Sequence, residues 1–361
     1  MTRIHQKLVA DGRRNLVQIW GPEETDSHIW TEFMVNNGGP DVFDMYTGHC
    51  YPWLGIADPG KLVTHKLRYT RGKPVSVTEV GANPESLRET HNYGTYVAKS
   101  VVSLANAGGK VIGFWRLCDQ YLVDPIEKAD GGDSMHNGLH KWGFWNWLPA
   151  DLTPRPAYYV LSLLTRYIDR NSDVLASSAD DPEVKTAVFR NSAGDYTVVV
   201  INDGAAAKSV TVNFRADLSK TLGRHLFTPS TPVTDDALLI ARDSTFSANT
   251  SFTDSNVPAN SVAVYTSMAP ELQVKVSPNN SEVAGGSTAQ LTYQIIDGSG
   301  GVTWSVIGGA GNGTVNSSGL YTAPTGLPAG TMVAVKAQSS ASKSSCGLAL
   351  IKIMAGHHSK K

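Results

Sequence analysis

Glu79 closes the run Pro74-Val75-Ser76-Val77-Thr78-Glu79 and is followed by Val80-Gly81. A bare carboxylate at the end of an apolar strand is costly, so it is either held in a salt bridge or used for chemistry. A second run ends in Tyr46-Thr47-Gly48-His49-Cys50-Tyr51-Pro52-Trp53, which brings a phenol, an imidazole and two further aromatics to one end of a strand. Aromatic faces with polar handles suit sugar rings, which offer apolar C–H faces and hydroxyl edges, although each of these side chains taken alone could equally be packing. A third run ends in Phe114-Trp115-Arg116-Leu117-Cys118-Asp119, where Trp115 could form the floor of a pocket. Glu79 is thus the candidate catalytic residue, with Tyr46, His49, Tyr51 and Trp115 as candidate substrate contacts.

The elements that must position these residues follow one rhythm as far as residue 172. Short apolar strands are expected at Leu16–Trp20, Val42–Thr47, Pro74–Glu79 and Val111–Trp115, with helical patterns at His28–Asn37, Lys61–Tyr69, Ser86–Ala107 and Arg155–Ile168. In the long pattern, Leu87, Val97, Val101, Leu104 and Ala105 share a face, and Ile4 and Leu8 look like the last turn of a preceding helix. Strand ends recur at intervals of 27, 32 and 36 residues, the length of a strand–helix unit in a parallel α/β fold. A complete (β/α)8 barrel takes about 250 residues, so four units amount to roughly half of one. In such barrels the working residues sit at the C-terminal ends of strands, where Glu79, His49 and Trp115 fall.

From about residue 184 the pattern changes to short alternating strands with turn signals, which reads as an antiparallel sandwich closing at Ser261–Thr266. Seven of the eight tryptophans precede residue 150. After Met268-Ala269-Pro270 a second all-β unit is expected, with strands at Val274–Val276, Gln290–Ile295, Val302–Val306 and Met332–Ala337. Its Trp304 is either a core anchor or a ligand platform. The expected class is therefore α/β plus all-β: a partial barrel at 1–172, a β-sandwich at 173–268, a second sandwich at 271–354 and a disordered tail at 355–361.

Composition narrows the partners. With 31 basic and 32 acidic side chains, a net charge of −1 and no block of like charge, a nucleic-acid or polybasic membrane surface is poorly supported. No run of 18 apolar residues could span a bilayer. Cys50, Cys118 and Cys346 lie far apart in no metal-ligand spacing, so no metal or cofactor is expected. Whether Cys50 and Cys118 meet, and what the oligomeric state is, stay open.

The quoted pieces together resemble the retaining glycoside hydrolases of clan A, most closely family-39-like members related to β-xylosidases and α-L-iduronidases. The matching pieces are Gly21-Pro22-Glu23, Asp44 with His49-Cys50-Tyr51-Pro52, Thr78-Glu79, Gly113-Phe114-Trp115, and Trp142-Gly143-Phe144-Trp145 continuing to Pro154-Arg155-Pro156-Ala157. The resemblance spans roughly residues 1–268 and implies the C-terminal half of a TIM barrel, about strands five to eight. It implies Glu79 as nucleophile on strand seven, His49 and Tyr51 on strand six, Trp115 on strand eight, and a carbohydrate as substrate. The terminal unit, with Val302-Thr303-Trp304-Ser305-Val306 and Ser318-Gly319-Leu320-Tyr321, resembles a bacterial Ig-like domain of extracellular proteins, which implies a secreted or cell-surface protein.

One part of the family pattern is missing. A retaining glycosidase needs a second carboxylate to protonate the leaving oxygen, and the family carries it on an Asn-Glu pair ending strand four. No Asn-Glu pair occurs among these 361 residues, and Glu23 and Glu24, the nearest substitutes, fall in a strand-five loop. The expectation is a glycosidase fragment without its acid/base half, or alternatively a non-catalytic carbohydrate-binding or surface-adhesion protein.

Overall fold

The computed structural model describes residues 2–25, 28–38, 42–51, 58–82, 85–122, 138–146, 153–233 and 239–355. Pro52, Trp53, Trp147 and the tail beyond Ala355 lie outside the described residues. The chain forms two compact units, one of Met1–Val233 with Arg242–Met268 and one of Thr234–Ala241 with Ala269–Lys361. The parallel layer and the first antiparallel sheet both belong to the first unit.

The parallel layer consists of β1 (His49–Cys50), β2 (Val77–Val80) and β3 (Ile112–Phe114) in that order. Parallel bridges Tyr46–Val75, Trp20–Met45 and Thr25–His49 extend it toward the chain's start. Val75, Val77 and Val80 have no solvent exposure, as expected of parallel strands covered on both faces. The run expected as a strand at Leu16–Trp20 forms no regular strand. Arg14–Leu16 is a 3-10 turn, and only Trp20 bridges to the layer. Pro22, two residues on, has no N–H to give a ladder. Instead Asp44 holds this segment, accepting from both the Arg14 guanidinium at 2.9 Å and the Ile19 N–H at 2.7 Å.

Helices α1 (Thr2–Ala10), α2 (Ile29–Asn36), α3 (Pro59–Leu67), α4 (His91–Asn106) and α5 (Pro156–Tyr167) accompany these strands. Asp58 caps α3 by accepting the Gly60 N–H at 2.9 Å, with Pro59 pre-set for the first helical position. The long pattern from Ser86 splits into a 3-10 turn, Glu85–Glu89, and α4. Leu87, on the turn, is consequently exposed, and Val102 rather than Val101 is buried with Val97 and Leu104. Leu16, Ile29, Trp30 and Phe33 are all more than half exposed.

A short antiparallel pair, β4 (Gln120–Leu122) and β5 (Gly138–His140), follows, and the rest of this unit is built on a six-stranded antiparallel sheet. Its strands are β6 (Asp173–Leu175), β7 (Val184–Arg190), β8 (Tyr196–Asn202), β10 (Lys220–Phe227), β11 (Arg242–Ala248) and β13 (Ser261–Thr266), in the order β11-β10-β13-β8-β7-β6. A two-stranded ribbon of β9 (Lys208–Asn213) and β12 (Ser251–Val257) covers one face, and Phe252 and Val257 join Val198, Leu222 and Tyr265 in one core. In the second unit, Met332–Ser339 and Cys346–Met354 pair as an antiparallel hairpin over a core that contains Trp304, 9% exposed. Trp304 is a core anchor. The strand expected at Gln290–Ile295 is interrupted at Leu291, whose side chain is fully buried and divides it into Thr288–Gln290 and Thr292–Ile296. Cys50 and Cys118 form no disulfide.

Candidate active site

Strand register builds the site. His49 on β1 lies directly across from Glu79 on β2. The Glu79 Oε2 accepts a hydrogen bond from the Tyr51 hydroxyl at 2.8 Å and faces the His49 Nδ1 at 3.2 Å. On its other edge the same imidazole meets Glu23, with Nε2 3.1 Å from Oε2. That Glu23 oxygen also accepts from the Thr78 hydroxyl at 2.6 Å. Each carboxylate therefore has one oxygen tied to the imidazole and to a hydroxyl. Among the described residues no hydrogen bond reaches the Oε1 of either Glu79 or Glu23. Side-chain exposure is 26% for Glu79, 22% for His49 and 49% for Glu23, so the group opens outward toward Glu23.

The chemistry of this group follows from its proton count. A neutral imidazole has one N–H, so both contacts are hydrogen bonds only when the ring is protonated or a carboxyl carries the proton. Burial raises the Tyr51 phenol far above its ordinary range, and the Glu79 hydrogen bond and charge raise it further, so Tyr51 remains a donor. Glu79 is thereby held with one oxygen anchored and one open, the disposition a carboxylate nucleophile requires.

Behind the group, Gly81 allows a close approach that no other residue would. A Cβ there would lie 2.6 Å from both the Tyr51 ring and the Arg88 guanidinium. Arg88 is 2% exposed and donates to the Ala82 carbonyl at 3.2 Å, to the Trp115 carbonyl at 2.6 Å and to the Trp142 carbonyl. Trp115 in turn bonds through its N–H to the Val80 carbonyl at 2.9 Å, which brings it to the same end of the layer as Glu79. The Trp115 and Trp142 rings are 6.4 Å apart, and the Arg116 guanidinium lies 5.4 Å from the Trp115 ring.

Tyr46 is not at the rim. It is fully buried against Phe43, ring centroids 5.4 Å apart, because it lies three residues before His49, about 10 Å down the strand. Glu24 is likewise withdrawn. It forms an ion pair with Lys66 in which both side chains are almost wholly buried, and it accepts from the Thr31 hydroxyl and from the N–H groups of Trp30 and Thr31 at 2.9 and 3.1 Å. Burial pushes its carboxyl up, but the Lys66 and Thr31 hydrogen bonds and the Lys66 charge outweigh this and hold it below the ordinary value. Asp119 is occupied by a bidentate Arg155 pair at 2.7 and 2.9 Å. Of the expected site residues, the structure brings Glu79, His49 and Tyr51 together, sets Trp115 at the same end and removes Tyr46. Sequence reasoning missed Arg88, Thr78 and the part Glu23 plays. Glu23 alone left a signal, its place at the end of the first run after Gly21-Pro22. Among the described residues no group of three or more His, Cys, Asp or Glu is disposed to hold a metal ion.

No known family's sequence profile matches the chain, and no curated protein is similar to it. Solved structures are. The glycoside hydrolase family 30 subfamily 8 xylanase Xyn30A from Clostridium acetobutylicum matches with a TM-score of 0.51 at 16% identity, over 73% of this chain and 60% of its own. The catalytic domain of the family 30 xylanase C from Talaromyces cellulolyticus matches with a TM-score of 0.51 at 13% identity, over 73% and 55% respectively. At these identities the likeness is one of fold alone. The family 51 arabinofuranosidase from Xanthomonas axonopodis pv. citri matches with a TM-score of 0.49 at 14% identity, over 69% of this chain and 58% of its own. The chain spans less than two thirds of the length of each of these structures.

Proposed function

We propose that the first unit is the C-terminal half of a (β/α)8 barrel of a retaining clan A glycosidase, with Glu79 as its nucleophile. One observation carries this reading: Glu79 leaves a buried parallel strand with Oε2 anchored by Tyr51 and His49 and Oε1 open. In the first step Oε1 attacks the anomeric carbon, the carbon–oxygen bond to the leaving group breaks, and its electron pair departs with that oxygen. The Tyr51 hydrogen bond fixes the rotamer of the attacking carboxylate, and Trp115 is read as a stacking surface beneath the sugar. The family-39-like motifs and the family 30 fold likeness meet at the level of the clan.

The proton donor is a separate matter. A retaining pair stands about 5–5.5 Å apart. Glu23 and Glu79 instead face opposite edges of one ring, at 3.1 Å from Nε2 and 3.2 Å from Nδ1, and Glu23 follows Gly21-Pro22 rather than an Asn. Glu23 is therefore not the retaining acid, and the chain alone is expected to act only on aryl glycosides whose leaving group needs no proton. The absence of an Asn-Glu pair also supports a second reading, in which the same rim binds carbohydrate without turnover. Within this proposal the protein is secreted or displayed at the cell surface, and the second unit is an Ig-like module. The test is incubation with 2,4-dinitrophenyl 2-deoxy-2-fluoro-β-xyloside followed by peptide mass mapping. A fluoroxylosyl ester on Glu79 supports the glycosidase reading. Labelling elsewhere, or a Glu79→Gln variant that still labels, overturns it.

A further inference from the structure

We infer that Glu23 is a substrate-binding residue, a fixed carboxylate that accepts hydrogen bonds from hydroxyls of a neutral sugar unit beside the one attacked by Glu79. The inference rests on the glycosidase reading only for where the sugar lies; the geometry of Glu23 stands by itself. Among the described carboxylates near Glu79, Glu24 is consumed by the Lys66 pair and Asp119 by Arg155. Glu23 is different. Its Oε2 is fixed by the Thr78 hydroxyl at 2.6 Å and the His49 Nε2 at 3.1 Å, while the side chain remains half exposed. A long flexible side chain on a rim ordinarily loses rotamer freedom when it binds, and here two tethers have removed that freedom beforehand. What is left without a hydrogen bond among the described residues is an oxygen that can only accept, next to the imidazole that also holds the nucleophile.

This arrangement suits hydroxyl groups. A carboxylate takes hydrogen bonds from sugar hydroxyls as charge-assisted contacts, stronger than neutral ones. It offers nothing to a carbonyl or ether oxygen. Its place across the imidazole from Glu79 lets it serve the sugar's hydroxyl edge or the next ring along the chain. Because the imidazole is shared, Glu23 and Glu79 are aligned by one side chain, so the sugar is registered against the nucleophile.

The experiment measures two quantities on Glu23→Gln and on Thr78→Val, which removes only a tether. One is the inactivation of the protein by 2,4-dinitrophenyl 2-deoxy-2-fluoro-β-xyloside, resolved into binding and chemical steps. The other is xylobiose affinity by calorimetry, repeated with its 3-deoxy and 4-deoxy congeners. Glu23→Gln is expected to weaken binding roughly tenfold to a hundredfold, a larger change than it makes in the chemical step, with a smaller loss in Thr78→Val. One deoxy congener should bind Glu23→Gln and the unaltered protein equally, which identifies the hydroxyl. Unchanged binding in Glu23→Gln, or an equal loss with every congener, overturns the inference while Glu79 labelling survives. Glu23-dependent xylobiose binding without any labelling upholds it and overturns the glycosidase reading. Absence of both labelling and binding overturns both.

Discussion

Replacing Lys66 by methionine isolates the buried pair that fixes the segment after Gly21-Pro22. Lys66 has 0% and Glu24 2% side-chain exposure, so the change leaves a carboxylate in a dry site without its cation. Breaking such a pair from one side costs about 3–5 kcal/mol. Glu24 keeps the Thr31 hydroxyl and two backbone N–H groups, which places this case at the lower end, about 3 kcal/mol. For a unit of this size that corresponds to a fall in Tm of about 6–12 °C. Tryptophan fluorescence reads the first unit selectively, since seven of the eight tryptophans precede residue 150. The pH dependence has a definite sign. The Glu24 carboxyl is held below the ordinary carboxylate value in the folded protein, so its contribution is present above that ordinary value and is lost as pH falls through the lower folded one. In Lys66→Met the opposing lysine is gone and burial dominates, so the deficit should shrink on acidification as Glu24 takes up a proton. The double variant Lys66→Met/Glu24→Gln should recover most of the loss, because a neutral amide removes the unpaired buried charge while its carbonyl still accepts from Thr31 and the backbone N–H groups. A single-variant loss under about 1 kcal/mol, or a double variant no better than the single, would refute the assignment of this pair as the clamp.

Tyr51→Phe removes the hydroxyl that anchors Glu79 and should slow fluoro-glycoside labelling by about tenfold to a hundredfold with little change in Tm; an unchanged rate would show that the hydrogen bond does not position the nucleophile. Gly81→Ala forces a methyl against Tyr51 and Arg88 and should cost about 1–3 kcal/mol together with slower labelling, read by urea unfolding and mass spectrometry on the same sample. Trp304→Ala empties the centre of the second unit's core and should cost that unit about 3–5 kcal/mol, visible as earlier proteolysis of its strands on heating.

Where one residue type in one period decides the outcome, the sequence was readable. Val302–Val306 and the parallel segments around Val75–Val80 and Ile112–Phe114 follow from apolar runs bounded by turn residues, and the position of Glu79 at a strand's end follows with them. Tyr46 was misplaced because pattern alone does not say how many residues of a run remain inside before the rim is reached; the answer depends on the Tyr46–Val75 bridge. The first expected strand failed because Arg14 and Asp44, 30 residues apart, hold that segment in place of a ladder. Arg88 was invisible for a similar reason, since its partners at Trp115 and Trp142 are backbone carbonyls, which no side-chain pattern reports.

That single guanidinium gives the rim an unusual mechanical property. Ala82, Trp115 and Trp142 belong to three stretches of chain with no sequence continuity, yet their carbonyls converge on one planar fork. A displacement of any one of them strains or breaks a hydrogen bond to Arg88, which is 2% exposed, so slack in the segment around Trp142 is passed to the turn that follows Glu79. Lysine could not take over, because a compact ammonium lacks the spread of donors needed to hold three separate carbonyls. An engineer inserting residues just before Trp142 to admit a different sugar would therefore be adjusting the aim of the carboxylate as well, through a residue that touches neither.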